Sequence, residues 1–75
     1  MKISIEYCSA WNYLPKASSL EAELKKQPDL DIELIAGSGG IFEVKCGGKM
    51  IFSKKEAGRF PEPGEILARI KQGKA

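Results

Sequence analysis

The chain has 75 residues, a net charge of +2, two cysteines and no histidine. That length makes one small domain, 1–75, with a single core, because a chain of this size buries only roughly 60% of its unfolded surface. The missing histidine excludes serine–histidine and cysteine–histidine catalysis within the chain, two distant cysteines cannot hold zinc alone, and so small a net charge argues against nucleic acid or a membrane surface as partner.

From Lys2 to Tyr7, Ile3, Ile5 and Tyr7 point one way and Lys2, Ser4 and Glu6 the other, which predicts a strand with one buried face. Cys8 ends that strand. Tyr13 to Lys26 carries Tyr13, Ala17, Leu20 and Leu24 at helical spacing. Asn12 is the expected N-cap, Pro15 suits a first turn where no donor is missed, and Glu21 and Lys25 stand at i, i+4. Gln27-Pro28-Asp29 ends the helix. Leu30 to Ala36 alternates again, with Leu30, Ile32 and Leu34 on one face.

Gly37-Ser38-Gly39-Gly40 reads as a flexible connection: it lacks the Lys-Ser/Thr and the following helix of a phosphate-binding loop. Ile41 to Cys46 and Lys49 to Ser53 flank Gly47-Gly48, a two-residue hairpin signal. Phe42, Val44 and Cys46 share a face, as do Met50 and Phe52 on the next strand. Lys54 to Gly64 reads as a polar loop containing Arg59-Phe60-Pro61-Glu62-Pro63. Gly64 to Gln72 closes the chain as a helix with Ile66, Leu67 and Ile70 on one side.

The order is β-α-β-β-β-α. The first β-α-β unit should cross over right-handed to give two parallel strands, and the hairpin then adds antiparallel ones. Two helices cover one face of a four-stranded mixed sheet. This α/β layout is that of a minimal thioredoxin-like domain. Lys25-Lys26 and Lys54-Lys55 read as solvated surface. No run approaches the ~20 apolar residues of a membrane span, and the first residues lack the apolar run of a signal peptide. Reduced thiols in the cytoplasm are the expectation.

A strand, a cysteine and then a helix is where thioredoxin-like proteins place their attacking thiol. A helix N-terminus favours thiolate over thiol, so backbone N–H groups there would stabilise the Cys8 anion while Ser9 and Ala10 hold the turn. Three positions on stands Trp11, whose indole has no sulfur with which to resolve a mixed disulfide. Alone, Cys8 forms a mixed disulfide with glutathione or a partner-protein thiol, or a sulfenic acid. Cys46 cannot substitute: an antiparallel strand puts it about 20 Å away, beyond disulfide reach. Its parity makes it a small buried apolar residue.

Tyr7-Cys8-Ser9-Ala10 before a helix with Pro15-Lys16, then Gly40-Ile41-Phe42-Glu43-Val44, then Gly48-Lys49-Met50-Ile51-Phe52-Ser53-Lys54-Lys55, resembles the selenoprotein W family within the wider Rdx group of small thioredoxin-like proteins. Arg59-Phe60-Pro61 resembles bacterial members. The resemblance covers nearly the whole chain. It implies thiol or selenol redox chemistry, glutathione-linked antioxidant or redox-regulatory, or redox-linked binding to partner proteins. The family pattern is Cys-x-x-selenocysteine or Cys-x-x-Cys. Cys8 matches its first position and Trp11 departs from its second.

Selenocysteine is encoded by UGA, one base from tryptophan's UGG, so a second reading of position 11 is that the native protein carries selenocysteine there. Glutathione enters as a co-substrate, with no bound cofactor and no metal. An alternative of another class is a non-catalytic interaction domain built on the Cys8–Trp11 loop, with Trp11, Tyr13 and Phe60 as exposed aromatic anchors.

Overall fold

The protein is described by a computed structural model covering residues 1–73, with side chains through residue 71. Its elements are β1 (Lys2–Cys8), α1 (Leu14–Leu24), β2 (Asp31–Gly37), β3 (Phe42–Cys46), β4 (Lys49–Ser53), α2 (Lys54–Ala57) and α3 (Glu65–Gly73). The strands form one mixed sheet in the order β2-β1-β3-β4. β1 runs parallel to β2 and antiparallel to β3, and β3 runs antiparallel to β4.

Strand alternation builds the core. Ile3 and Ile5 of β1 face the same side as Phe42 and Val44 of β3, because Ile5 pairs with Val44 and Tyr7 with Phe42. Ala17, Leu20 and Leu24 of α1 and Ile66 and Ile70 of α3 join them and Phe52 in one buried cluster. Both long helices therefore cover one face. The other face stays charged: Lys2 pairs with Glu33 at 3.3 Å, and Glu6 stands opposite Glu43.

Four local readings need correction. The first concerns Met50, which does not share a face with Phe52. Val44 pairs with Phe52 but Lys45 pairs with Met50, so Ile51 is the extra residue of a β-bulge. One inserted residue reverses side-chain parity beyond it. Ile51 accordingly packs against the core and Met50 is left exposed.

The second concerns residues 54–57, which form the short helix α2 rather than loop; it closes with the Gly58 N–H donated to the Lys54 carbonyl at 2.7 Å. The third concerns the start of α1. Tyr13, not Asn12, is its N-cap residue, and no side chain caps it. Asn12 instead takes a left-handed φ of 59°, a conformation that asparagine tolerates better than most residues. The fourth concerns Cys46, which is half-buried at the core margin, its Sγ 3.1 Å from Met1 Sδ.

The hairpin forms where expected. Gly47 and Gly48 have φ of 59° and 87°, the two positive values that a tight two-residue turn demands. Beyond it, an ionic clamp fixes the 58–64 segment. Arg59 donates to both carboxylate oxygens of Glu65, at 2.7 and 2.9 Å. The Glu62 N–H donates to the same carboxylate at 2.9 Å, and Arg69 donates to it at 3.0 Å. Arg69 also donates to the Ile51 carbonyl at 2.7 Å, tying α3 to the bulge.

Candidate functional site

Cys8 is the last residue of β1, and two loops hold it. Its N–H donates to the Ile41 carbonyl at 2.8 Å, and its carbonyl accepts from the Tyr13 N–H at 3.1 Å. Next to it, the Ser9 N–H donates to the Gly37 carbonyl at 3.3 Å, and the Asn12 N–H donates to the Ser9 carbonyl at 3.2 Å. The 9–13 turn and the 37–41 loop thus meet over the end of the strand. Cys8 has the strand parity of Lys2, Ser4 and Glu6, on the face away from the helices, and stands outside the core cluster. It is nonetheless 0% exposed.

α1 starts at Leu14, one residue from its expected start and after the turn that follows Cys8. Within that turn the Tyr13 N–H is donated to the Cys8 carbonyl at 3.1 Å. Accessibility differs sharply between the two positions: Cys8 is closed from solvent, whereas Trp11 is exposed as expected, at 61%. Ser9 and Ala10 are exposed in the turn between them.

Trp11 rests on the other loop. A Cβ built on Gly40 would lie 2.6 Å from Cζ3 of the indole, so only glycine permits this approach. From Trp11 a row of edge-to-face rings runs inward. Trp11 and Tyr13 centroids are 6.1 Å apart, Tyr13 and Phe60 4.8 Å, and Phe60 and Phe42 5.2 Å. Tyr13 and Phe60, expected as exposed anchors, are half-buried and pack against the core. The Lys16 and Lys54 ammonium groups each lie 5.3 Å from the Phe60 ring centre. Beside Phe60 is a groove of about 250 Å³ between α1 and the Pro61–Pro63 segment.

Cys8 and Cys46 are both free, and the strand register separates them. Tyr7 pairs with Phe42 at one end of β1, while Ile3 pairs with Cys46 near the other. Among the described residues no three His, Cys, Asp or Glu side chains gather as metal ligands, and no helix is long and apolar enough to cross a membrane. The ionic clamp that positions Phe60 was not anticipated. Glu65 and Arg69 at i, i+4 were readable in sequence, but the contact to Arg59 depends on the path of the intervening loop.

A four-stranded mixed sheet with helices on one face, and a cysteine at the end of its first strand, defines a small α/β domain of the thioredoxin-like kind. The chain belongs to the Rdx family, whose model matches residues 2–72. It is 35% identical to Selenoprotein W of Gallus gallus over 75 residues, an alignment that spans 93% of this chain and 87% of that protein. It is 32% identical to Migration and invasion enhancer 1 of Bos taurus over 73 residues, covering 96% of this chain but only 64% of that protein's length. The crystal structure of a Selenoprotein W-related protein from Vibrio cholerae superposes with a TM-score of 0.88 at 30% identity, over 95% of this chain and 92% of that one.

Proposed function

We propose that this chain is a small thiol-redox protein of the selenoprotein W-like type, with Cys8 as its redox-active group and glutathione or a protein thiol as the exchange partner. One observation carries the reading. In a member of the Rdx family, Cys8 ends the first strand three residues before an exposed position, with Cys46 held at the far end of the sheet. Free thiols fit a reducing compartment such as the cytoplasm.

The exchange step balances without a cofactor. Cys8 loses its proton to solvent, and its sulfur attacks one sulfur of a disulfide. A new S–S bond forms to Cys8, the old S–S bond breaks, and the other half leaves as a thiolate. Trp11 offers no second sulfur, so release of the adduct needs an external thiol, which repeats the exchange in reverse. A selenol at position 11 would supply that second nucleophile within the chain. The codon for position 11 decides between the forms: UGA means a thiol–selenol pair, UGG a one-thiol protein.

The test is incubation of the reduced protein with glutathione disulfide, followed by intact mass and peptide mapping. The expected result is an adduct on Cys8 that dithiothreitol removes and that Cys8→Ser lacks. Modification of Cys46 alone, or of neither cysteine, overturns the proposal.

A second reading is supported by the 61% exposure of Trp11 and the ring row behind it, which offer an aromatic anchor to a partner protein. Partner binding that survives Cys8→Ser favours this interaction-domain reading. Binding that needs Cys8 and is released by reductant favours redox-linked docking.

A further inference from the structure

We propose that the contact between Trp11 and Gly40 is a latch that controls access to Cys8. The inference deepens the redox reading given above and rests on Cys8 being its reactive group.

Three observations converge on it. Cys8 has no exposed surface although it lies outside the core cluster and has the strand parity of the face away from the helices. Its cover is therefore local, and the two segments bonded to its own backbone are the 9–13 turn and the 37–41 loop. These segments touch where the indole lies on Gly40, with Cζ3, Cε3 and Cη2 of Trp11 at 2.6, 2.9 and 3.1 Å from a hypothetical Cβ. So close an approach of a flat ring to a bare Cα packs the two loops against each other at that point.

The covering segments also have the means to open. Asn12 sits at φ 59°, a left-handed value that asparagine adopts and can leave more readily than most residues. Gly39 and Gly40 have φ of 72° and 75° and can exchange that conformation for others without a steric penalty. The strand end is anchored by the Cys8–Ile41 and Tyr13–Cys8 hydrogen bonds at 2.8 and 3.1 Å, whereas the Ser9–Gly37 bond, which joins the two segments directly, is longer at 3.3 Å. The indole is already 61% exposed, so most of its surface is in water in the closed form. A disulfide cannot reach a wholly buried sulfur, so opening must precede exchange.

The latch therefore sets the rate of Cys8 chemistry through the fraction of time it is open. A partner that takes the indole into its own apolar pocket would open the site as it docks, so that exchange follows binding.

The experiment compares alkylation of the full-length chain by iodoacetamide at neutral pH, with Cys8 and Cys46 followed separately by peptide mass spectrometry. Here the cysteine sulfur displaces iodide and its proton passes to buffer. Trp11→Ala removes the ring, and Gly40→Ala places a methyl where the ring must lie. Both should label Cys8 at least tenfold faster than the parent, while Trp11→Phe, which keeps a flat ring, should stay within about threefold of it. Cys46 should label at the parental rate throughout, showing that the change is local rather than global unfolding.

Cys8 rates within twofold of the parent in both Trp11→Ala and Gly40→Ala overturn the latch, as does equal acceleration of Cys46. The underlying redox reading fails differently. If Cys8 in the opened variants takes iodoacetamide rapidly but forms no adduct with glutathione disulfide, the latch stands and the redox assignment falls.

Discussion

At position 11 the identity of one side chain separates two kinds of chemistry. Trp11→Cys creates a two-sulfur motif, with Cys8 three residues away across the turn. On mild oxidation this variant should lose both thiols of the pair as an intramolecular disulfide, read as a loss of two hydrogens by intact mass with Cys46 still free. Mixed adducts without that loss would mean that the 9–13 turn keeps the sulfurs beyond bonding reach. Phe42 makes a different kind of contribution. It is 1% exposed and its ring supports Phe60. Phe42→Ala should cost about 3–5 kcal/mol in chemical denaturation, the usual range for emptying a buried aromatic site. The place of Cys8 in the chain was legible, because alternation stops there and a turn follows. Its burial was not, since even parity assigns it to the open face and the loop bonded to its backbone lies about 30 residues downstream.

Elements were legible wherever one periodicity ran without interruption. The strands from Ile3, Ile32 and Phe42 and the helix through Ala17, Leu20 and Leu24 follow directly from spacing. The failures lie where local geometry resets the count. The bulge at Ile51 turns Met50 to the opposite face, and α2 occupies four residues that carry no apolar stripe. The loop from Arg59 to Gly64 is held by the ionic clamp together with the packing of Phe60 on the core. Its Glu65 carboxyl is lowered from 4.5 to about 2, first by hydrogen bonds from the Arg59 side chain and then by the Glu62 N–H. A carboxyl with a depressed folded value contributes stability that is complete above its unfolded value and fades as pH falls toward the folded one. Glu65→Gln should therefore lower the melting temperature at pH 6, and its difference from the parent should shrink steadily between pH 4.5 and pH 2. A difference that stays constant across that window would show that the clamp is held by shape rather than by charge. Gly48, at φ 87°, makes the corresponding test for the hairpin. Gly48→Ala should destabilise by about 1–2 kcal/mol, the usual cost of forcing a Cβ into the left-handed region, measured by denaturant midpoint.

On the scale of the whole molecule, the element order was enough to anticipate a mixed sheet covered on one side, because a crossover helix makes its flanking strands parallel and a tight hairpin makes its strands antiparallel. The insertion of β1 between β2 and β3 places Cys8 beside both of the loops that enclose it. The same strand order leaves β2 and β4 at the margins, and they are unequal. On β4 the bulge breaks the ladder at Ile51, and Arg69 occupies the carbonyl of that residue. β2 runs unbroken from Asp31 to Gly37. A strand arriving at β4 meets an interrupted row of donors and acceptors, and one arriving at β2 does not. The sheet thus has a valence of one. Edge-to-edge pairing of this chain would close at two copies across β2, whereas two open margins would let it polymerise without end.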